Sequence, residues 1–241
     1  MDAEIVFRLN LVHGRCVGVR LPTEVNEPIL QGLSPEERAF VASLSPTRQP
    51  SWIAGRIALH EAFRDLGIEP GPILATTRGA PALPPDLLGS ISHKRTLAVG
   101  LAARRQEGEH IGVDLENSPP ALASAQTARD QARPDVRKRV LTQDELQRLE
   151  QIPEDSRRRT VILHFSLKEA LYKAIDPLVG RHVSFQEASM TPFPDGSVQI
   201  ALALDPDEGR FCATASWTEI EEHFLTTAQV RRPKPDPVVP Y

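Results

Sequence analysis

Residues 111–116 read Ile-Gly-Val-Asp-Leu-Glu, so apolar residues alternate with small or acidic ones along this segment. A period of two places the apolar residues on one face of a β-strand and the carboxylates of Asp114 and Glu116 on the other. Residues two apart on a strand lie about 6.5–7 Å apart along the backbone. The alternation therefore predicts a strand that offers two carboxylates to one cation.

Residues 165–173 read Phe-Ser-Leu-Lys-Glu-Ala-Leu-Tyr-Lys, a run of helix formers with no Gly or Pro before Pro177. Glu169 and Lys173 are four residues apart and share one helix face. Such a pair alone is usually a surface ion pair worth about 0.3–0.5 kcal/mol. Beside the two strand carboxylates, however, we interpret Glu169 as part of a divalent-metal site for a phosphate-bearing substrate.

The pattern elsewhere predicts a mixture of helices and strands. Residues 5–12 and 16–21 are typical of a β-hairpin, Ser34 is a helix N-cap with Glu37 at the capping-box position, and residues 51–66 form an amphipathic helix. Further strands are predicted over residues 97–101, 183–185, 190–193, 198–204, 210–217 and 226–230, with a short helix or irregular link over 219–224.

The second half of the chain repeats the plan of the first. Thr142 and Glu145 form the same capping pair as Ser34 and Glu37, at an offset of 108 residues. Similarity at a fixed offset is typical of a duplicated domain. We therefore predict an α+β fold made of two similar α+β subdomains in a pseudo-two-fold arrangement.

A second pair of similar segments, residues 52–58 and 165–171, has an offset of 113 and places Arg56 opposite Glu169. Clefts between domains are common ligand sites. The two halves would then present a cation for phosphate and an anion for metal at equivalent positions. The predicted divisions of the chain are residues 1–108, residues 109–230 and a proline-rich tail at 231–241.

The composition excludes some classes of function. With 28 basic and 32 acidic residues, the net charge of −4 gives no general attraction to nucleic acid or to an anionic membrane. Cys16 and Cys212 are isolated and match no metal or redox spacing. The N-terminus lacks the features of a signal peptide, and no apolar run approaches the roughly 18 residues of a spanning helix. We expect a soluble, cytoplasmic protein.

Residues 112–116 and 165–173 closely resemble G-x-D-x-E and W-[ST]-x-K-E-A-x-x-K, the two signature motifs of the 4′-phosphopantetheinyl transferase superfamily. Residues 54–56 and 90–93 resemble two further motifs of its larger, pseudo-dimeric class, which includes Sfp-type and enterobactin-synthetase-component-D-like enzymes. The motifs occur in the family's order from about residue 33 to residue 174. The resemblance implies the 4′-phosphopantetheinyl transferase fold.

The resemblance also implies an activity: transfer of the phosphopantetheine arm of coenzyme A to a serine of an apo acyl- or peptidyl-carrier protein, with release of 3′,5′-ADP. It implies that Asp114, Glu116 and Glu169 hold Mg²⁺ or Mn²⁺, since such ions prefer oxygen ligands. Glu169 would also accept the serine proton, directly or through a water. Lys173, one turn further on, would reach the phosphates of coenzyme A as a point charge.

Further contacts to coenzyme A are expected from the first half of the chain. The resemblance assigns them to Arg56 and to the Ser92-His93 pair, and Arg48 is a candidate for the nucleotide 3′-phosphate. Arg78 precedes Gly-Ala-Pro where part of the family has Gly-Lys-Pro, so it would supply that positive charge from two positions earlier. Phe165 replaces the motif tryptophan, which is a change between large aromatic residues.

Several alternatives stay open at this point. Residues 117–139, with the basic group at 137–139, either cover the cleft and meet an acidic carrier helix or form a solvated linker. The same carboxylates would also suit a metal-dependent phosphohydrolase, and a catalytically inactive carrier-binding protein is a third reading. We expect a monomer, because the duplication supplies within one chain an interface that smaller relatives obtain by oligomerising.

Overall fold

The computed structural model describes residues 3–106, 109–119 and 136–233. In the first half, the described residues form one antiparallel sheet and three helices, and the helices follow the first two strands. The elements are β1 (Ile5–Leu11), β2 (Gly14–Arg20), α1 (Glu27–Gln31), α2 (Pro35–Ser43), α3 (Gln49–Arg64), β3 (Leu87–Lys94) and β4 (Leu97–Arg104). The order of strands in this sheet is β1-β2-β4-β3.

The second half begins with a strand, continues through helices and ends in a four-stranded meander. Its elements are β5 (Glu109–Asn117), α4 (Val136–Val140), α5 (Gln143–Glu150), α6 (Glu154–Val179), β6 (Ala188–Pro192), β7 (Ser197–Leu202), β8 (Cys212–Ile220) and β9 (His223–Arg231). The order of strands in this second sheet is β5-β9-β8-β7-β6.

A common unit is visible in both sheets. The strands β2-β4-β3 and β5-β9-β8 occupy equivalent positions, and the long helices α3 and α6 pack on one face of each unit. In both units a glycine lets the helix approach the sheet: a Cβ on Gly100 would lie 2.4 Å from Leu59 N, and one on Gly112 would lie 2.0 Å from Ala170 O. The predicted α+β fold of two similar subdomains is therefore confirmed.

The capping boxes predicted at the starts of α2 and α5 are both present. Their glutamates, Glu37 and Glu145, are buried and each also accepts a backbone N–H from a later segment of its own subdomain. Ile73 N donates to Glu37 Oε1 at 2.9 Å, and Met190 N donates to Glu145 Oε1 at 2.7 Å. Each glutamate thus ties a helix start to a distant part of its subdomain, which explains the repeated motif.

Three clusters of buried apolar side chains stabilise the subdomains and the contact between them. One cluster lies between α3 and the first sheet, and another lies between α6 and the second sheet. The faces of the two sheets that are turned away from these helices share a third cluster, which joins the subdomains. Its buried members are Cys16, Leu88, Leu97, Val99, Leu101, Ile111, Val113, Leu115 and Leu225.

Two local predictions are wrong. Residues 183–185 do not form a strand, because Ser184 caps a single 3₁₀ turn over Phe185–Glu187. Residues 219–224 form neither a helix nor an irregular link, since β8 and β9 continue to a tight turn at Glu221 and Glu222. The φ angles of these two residues are 49° and 59°, which suit a two-residue hairpin turn but are rare for glutamate.

The first sheet ends at Arg104 and the second begins at Glu109, while the domain division at residues 108 and 109 stays a prediction. Of the predicted tail, Arg231 still belongs to β9, and residues 234–241 lie outside the described residues. Within the described ranges, no helix has the length and apolar character needed to cross a membrane.

Candidate active site

Asp114 joins both subdomains at the centre of the site. It lies on β5 with its carboxylate buried beneath α6. Its Oδ1 accepts hydrogen bonds from Ser92 Oγ and from Lys173 Nζ, each at 2.8 Å, and its Oδ2 accepts one from Ser166 Oγ at 2.9 Å. Strand β3, strand β5 and helix α6 are therefore fastened to one another through a single carboxylate.

Glu116, the second carboxylate of the strand, is paired with a lysine from the first subdomain. Lys94 Nζ lies 2.6 Å from Glu116 Oε1 and 2.5 Å from Oε2. Sequence reasoning missed Lys94, although a signal was available. Lys94 is two residues beyond Ser92 on β3, so the strand period places both side chains on the face that meets β5.

Glu169 lies on α6 and faces the same cluster. Burial raises the pKa of its carboxyl above the ordinary value, and the negative charges of Asp114 and then Glu116 raise it further, while Lys173 opposes them. At Glu169, the effect of the two neighbouring carboxylates therefore exceeds the opposing effect of Lys173. A cation placed near Glu169 would be stabilised by this charge.

The donor set of Asp114, Glu116 and Glu169 fits a divalent cation in its chemistry, because all three supply carboxylate oxygens and together they concentrate negative charge. In the described ranges, however, no three His, Cys, Asp or Glu side chains stand together in a ready-made metal cluster. The two strand carboxylates instead form ion pairs with lysines: Asp114 pairs with Lys173, and Glu116 pairs with Lys94. Metal binding by these residues stays a prediction.

A cleft of about 1390 Å³ opens beside this cluster. Its walls come from α3, the segment between α3 and β3, strand β3 and one face of α6. Six of the residues predicted from the sequence line it: Arg48, Arg56, Arg78, His93, Glu169 and Lys173. Ser92, Asp114 and Glu116 lie behind this wall and support it through the hydrogen bonds described above.

Arg48 and His93 present positive or polar groups to the cleft. Arg48 is exposed at the start of α3, and His93 is exposed at the end of β3. Partial burial lowers the pKa of His93, and the charges of Lys173, Lys94 and Arg48 lower it as well, against the attraction of Asp114. A mobile anion such as a phosphate would offset this accumulation of positive charge.

Arg56 lines the cleft but is buried, and its guanidinium is held by contacts within the first subdomain. Its Nε donates to Ile73 O at 2.6 Å, its Nη2 donates to Leu74 O at 3.3 Å, and its guanidinium lies 4.5 Å from the centre of the Trp52 ring. Burial lowers the pKa of Arg56 to about 10, against the attraction of Glu37. Arg56 therefore anchors a backbone segment, and its contact with coenzyme A stays a prediction.

Arg78 crosses the cleft to the other subdomain. Its Nε donates to Asp176 Oδ2 at 2.8 Å, and its Nη2 donates to Asp176 Oδ1. Tyr172, one turn earlier on α6, interacts with both side chains. Sequence reasoning missed Asp176 and Tyr172, although both share a helix face with Glu169 and Lys173 at spacings of three and four residues.

Lys168, the other lysine of the α6 motif, is fully buried and serves the fold. Its Nζ donates to Val140 O at 2.8 Å, to Phe185 O at 2.9 Å and to Glu145 Oε2 at 2.6 Å. It therefore fastens α4, the start of α5 and the 3₁₀ turn to α6. A buried lysine whose three donors are all used has no capacity left for a substrate phosphate.

The basic group at 137–139 lies on α4, where its side chains are exposed. Gln186 Nε2 donates to Lys138 O at 3.3 Å, to Arg139 O at 3.4 Å and to Leu141 O at 3.0 Å, which caps the end of this short helix. Residues 120–135 of the predicted carrier-facing segment lie outside the described residues.

Comparison with curated proteins gives three informative relatives. The chain is 31% identical over 194 residues to 4′-phosphopantetheinyl transferase Svp of Streptomyces mobaraensis, covering 75% of this chain and 65% of Svp. It is 30% identical over 164 residues to 4′-phosphopantetheinyl transferase Npt of Nocardia iowensis, covering 68% of each. It is 33% identical over 134 residues to enterobactin synthase component D of Salmonella typhimurium, covering 55% of this chain and 50% of that protein.

Solved structures with local similarity cover about half of the chain. A holo-(acyl-carrier-protein) synthase of Bacillus anthracis, in complex with CoA (3′,5′-ADP), has 19% identity and a TM-score of 0.38 over 51% of this chain and 96% of that chain. The holo-ACP-synthase of Plasmodium yoelii has 19% identity and a TM-score of 0.40 over 53% of this chain and 100% of that chain.

Two family models match in succession along the chain. Residues 36–103 match the 4′-phosphopantetheinyl transferase N-terminal domain, and residues 110–228 match the 4′-phosphopantetheinyl transferase superfamily. These two matched ranges include the strand with Asp114, the helix with Glu169 and most of the residues that line the cleft. The chain therefore belongs to the 4′-phosphopantetheinyl transferase superfamily.

Proposed function

We propose that this protein transfers the 4′-phosphopantetheine moiety of coenzyme A to a serine of an apo acyl- or peptidyl-carrier protein, giving the holo-carrier and 3′,5′-ADP. Family membership supports the proposal. The observation that carries it is the contact of Lys173 with Asp114 beside Glu169, because it brings the two family motifs together at the wall of one large cleft.

Coenzyme A would occupy the cleft between the subdomains. Arg48 and His93 on one side and Lys173 on the other supply groups that attract its phosphates, and the protein's overall negative charge makes this local arrangement necessary. The aromatic pair Phe40 and Trp52, with ring centres 5.1 Å apart, lines the same cleft beside Arg48. An aromatic surface of this kind suits a nucleotide base.

In the proposed reaction, the serine Oγ of the carrier forms a bond to the phosphorus attached to the pantetheine arm. The bond from that phosphorus to the bridging oxygen breaks, and 3′,5′-ADP leaves. Glu169 accepts the serine proton, directly or through a water, and burial assists it by raising the pKa of its carboxyl. Lys173 stabilises the negative charge of the phosphates.

Asp114, Glu116 and Glu169 would hold the Mg²⁺ or Mn²⁺ that supports this reaction. When bound, such an ion neutralises charge on the pyrophosphate and polarises the phosphorus that is attacked. The ion would compete with Lys94 for Glu116. Ser92 and Ser166 keep Asp114 oriented through hydrogen bonds to its two different oxygens.

The subdomain arrangement supports a monomer, because the interface that buries Asp114 already lies within one chain. Burial raises the pKa of the Cys16 thiol to about 12, so this thiol rarely ionises to the reactive thiolate. It is a free cysteine and needs no oxidising compartment. We therefore propose that the protein acts as a monomer in the cytoplasm.

Intact-mass measurement tests the proposal. The protein is incubated with coenzyme A, Mg²⁺ and a panel of apo-carriers, and each carrier is then weighed. We expect one added phosphopantetheine per carrier, abolished by EDTA, by Glu169→Gln and by replacement of the carrier's acceptor serine with alanine. The exposed Glu150→Gln is the matched control and should leave loading unchanged.

The same experiment separates the alternatives. Coenzyme A that is hydrolysed while all carriers keep their mass would favour a phosphohydrolase. A carrier that binds the protein but is never modified, with intact coenzyme A, would favour a catalytically inactive binding protein. Either result would contradict the proposed transfer.

A further inference from the structure

Residues 73–82, called here the strap, run from α3 toward β3 along the cleft. Backbone hydrogen bonds fold the strap into a small hairpin: Thr76 N donates to Ala80 O at 2.8 Å, and Ala82 N donates to Leu74 O at 3.0 Å. Gly79, with a φ of 86°, makes the turn possible. The strap is therefore an ordered element that carries Arg78 at its tip.

The base of the strap is held by the first subdomain. Arg56 donates to the carbonyls of Ile73 and Leu74, and Glu37 accepts the N–H of Ile73 at 2.9 Å. Both anchoring side chains are buried. The base is thus fixed, so the position of the tip depends on what Arg78 contacts.

The tip of the strap is held by the second subdomain. Arg78 makes a two-pronged ion pair with Asp176, and this pairing is the main cause that lowers the pKa of Asp176. The Arg78 side chain is 45% exposed, whereas that of Asp176 is 13% exposed. Asp176 lies three residues after Lys173 on the cleft-facing side of α6. The ion pair therefore spans the cleft beside the proposed phosphate site.

We propose that the Arg78–Asp176 pair closes the strap across the cleft and that Arg78 is a positioning residue which stays on Asp176 when coenzyme A is bound. Transfer of Arg78 to a phosphate would leave the Asp176 carboxylate largely buried and without its cation, next to an incoming polyanion. Removing one partner of such a pair is costly, because the remaining charge is left unpaired.

This inference rests on the proposed function only in using coenzyme A as the probe. It differs from the role expected from the sequence, in which Arg78 contacts a phosphate directly. The two roles predict opposite effects at Asp176. If Arg78 binds phosphate, loss of the Asp176 charge frees Arg78 and removes repulsion, so coenzyme A binds more tightly. If the pair closes the strap, the same change weakens binding.

The test measures coenzyme A affinity by calorimetry for the unmodified protein and four variants: D176N, R78Q, the R78Q/D176N double variant and the charge exchange R78D/D176R. We expect D176N and R78Q each to weaken binding about 10-fold, the double variant to match the single ones, and the charge exchange to recover part of the loss. E208Q, which changes an Arg181 ion pair outside the cleft, is the charge-matched control and should bind as the unmodified protein does.

Hydrogen exchange provides a second readout that needs no ligand. In D176N, the amides of Thr76 and Ala82 should exchange at least several-fold faster, although they are remote in sequence from the changed residue. The proposal is overturned if D176N binds coenzyme A as well as or better than the unmodified protein, or if exchange in the strap is unchanged. If the unmodified protein does not bind coenzyme A, the proposed function fails, and the exchange measurement still tests the strap.

Discussion

Ser92 on β3 donates a 2.8 Å hydrogen bond to Asp114 on β5, so a residue of the first subdomain orients a carboxylate of the second. The contact is buried and lies next to the bond between Lys173 and the same oxygen. The two subdomains therefore do more than enclose a cleft. Each subdomain supplies part of the environment of one acidic side chain, Asp114.

Ser92→Ala should lower the rate of carrier loading, because Asp114 loses one of the bonds that orient it. The free energy of unfolding should fall by about 1–2 kcal/mol. Ser90→Ala is the matched control: Ser90 Oγ accepts the backbone N–H of Val113 at 3.0 Å and does not touch the carboxylate. Denaturant unfolding and steady-state kinetics check both variants. Equal losses of rate would show that the bond to Asp114 is not the cause.

The two lysines of the α6 motif should separate stability from binding. Lys168→Met leaves Glu145 buried without its cation, and we expect a loss of about 3–5 kcal/mol in the free energy of unfolding. Lys173→Met removes a side chain that is 26% exposed, so it should destabilise less while weakening coenzyme A binding. Urea unfolding and calorimetry distinguish them. The reverse pattern would exchange the roles assigned to these residues.

The glycines under the long helices should not tolerate a methyl group. Gly112→Ala places a Cβ 2.0 Å from Ala170 O, and Gly100→Ala places one 2.4 Å from Leu59 N, both against backbone that has little room to move. We expect losses of about 3 kcal/mol or more for each. Gly32→Ala is the control, because its nearest contact is 3.4 Å away. Thermal unfolding of the three variants tests whether the helix packing is as close as described.

The interface between the subdomains should weaken in mild acid. His13 is buried with its ring nitrogens 2.8 Å from Thr227 Oγ1 and 3.0 Å from Thr214 Oγ1, and burial lowers its pKa from 6.5 to about 4. The unfolded chain takes up the proton first as the pH falls. The stability that the folded protein gains from keeping His13 neutral is therefore complete above pH 6.5 and is lost progressively as the pH falls toward 4.

At pH 5 this effect of His13 amounts to about 2 kcal/mol. His13→Gln keeps hydrogen-bonding groups for the two threonines but does not titrate, so its stability should depend less on pH than that of the unmodified protein. His223→Gln, at the turn between β8 and β9, is the control. Urea unfolding at pH 7 and pH 5 gives the comparison. An unchanged pH dependence in His13→Gln would show that this histidine is not the group responsible.

Much of the fold could be predicted from the sequence, because its signals are local. The Ser34 and Thr142 caps, the alternation around Asp114 and the helix containing Glu169 each depend on residues within a few positions of one another. The turn at Glu221 and Glu222 could not be predicted in this way. Neither residue favours a positive φ, and only the pairing of β8 with β9 requires it.

The sequence could indicate which carboxylates lie close together, but not which residues pair with the cations of the cleft. The motifs indicate Asp114, Glu169 and Lys173 directly. By contrast, Arg78 meets Asp176 across 98 residues of sequence, and such a pairing follows from how the subdomains are docked. Sequence spacing alone therefore suggested a free cation where the structure has a paired one.

The most direct test of the account is a parallel measurement of 3′,5′-ADP release and holo-carrier formation, with the unmodified protein and with Glu169→Gln. We predict one ADP for each carrier modified by the unmodified protein, and no product from the variant although it still binds coenzyme A. Product formation by Glu169→Gln at the full rate, or consumption of coenzyme A without carrier modification, would contradict the central claim that this site transfers phosphopantetheine through Glu169.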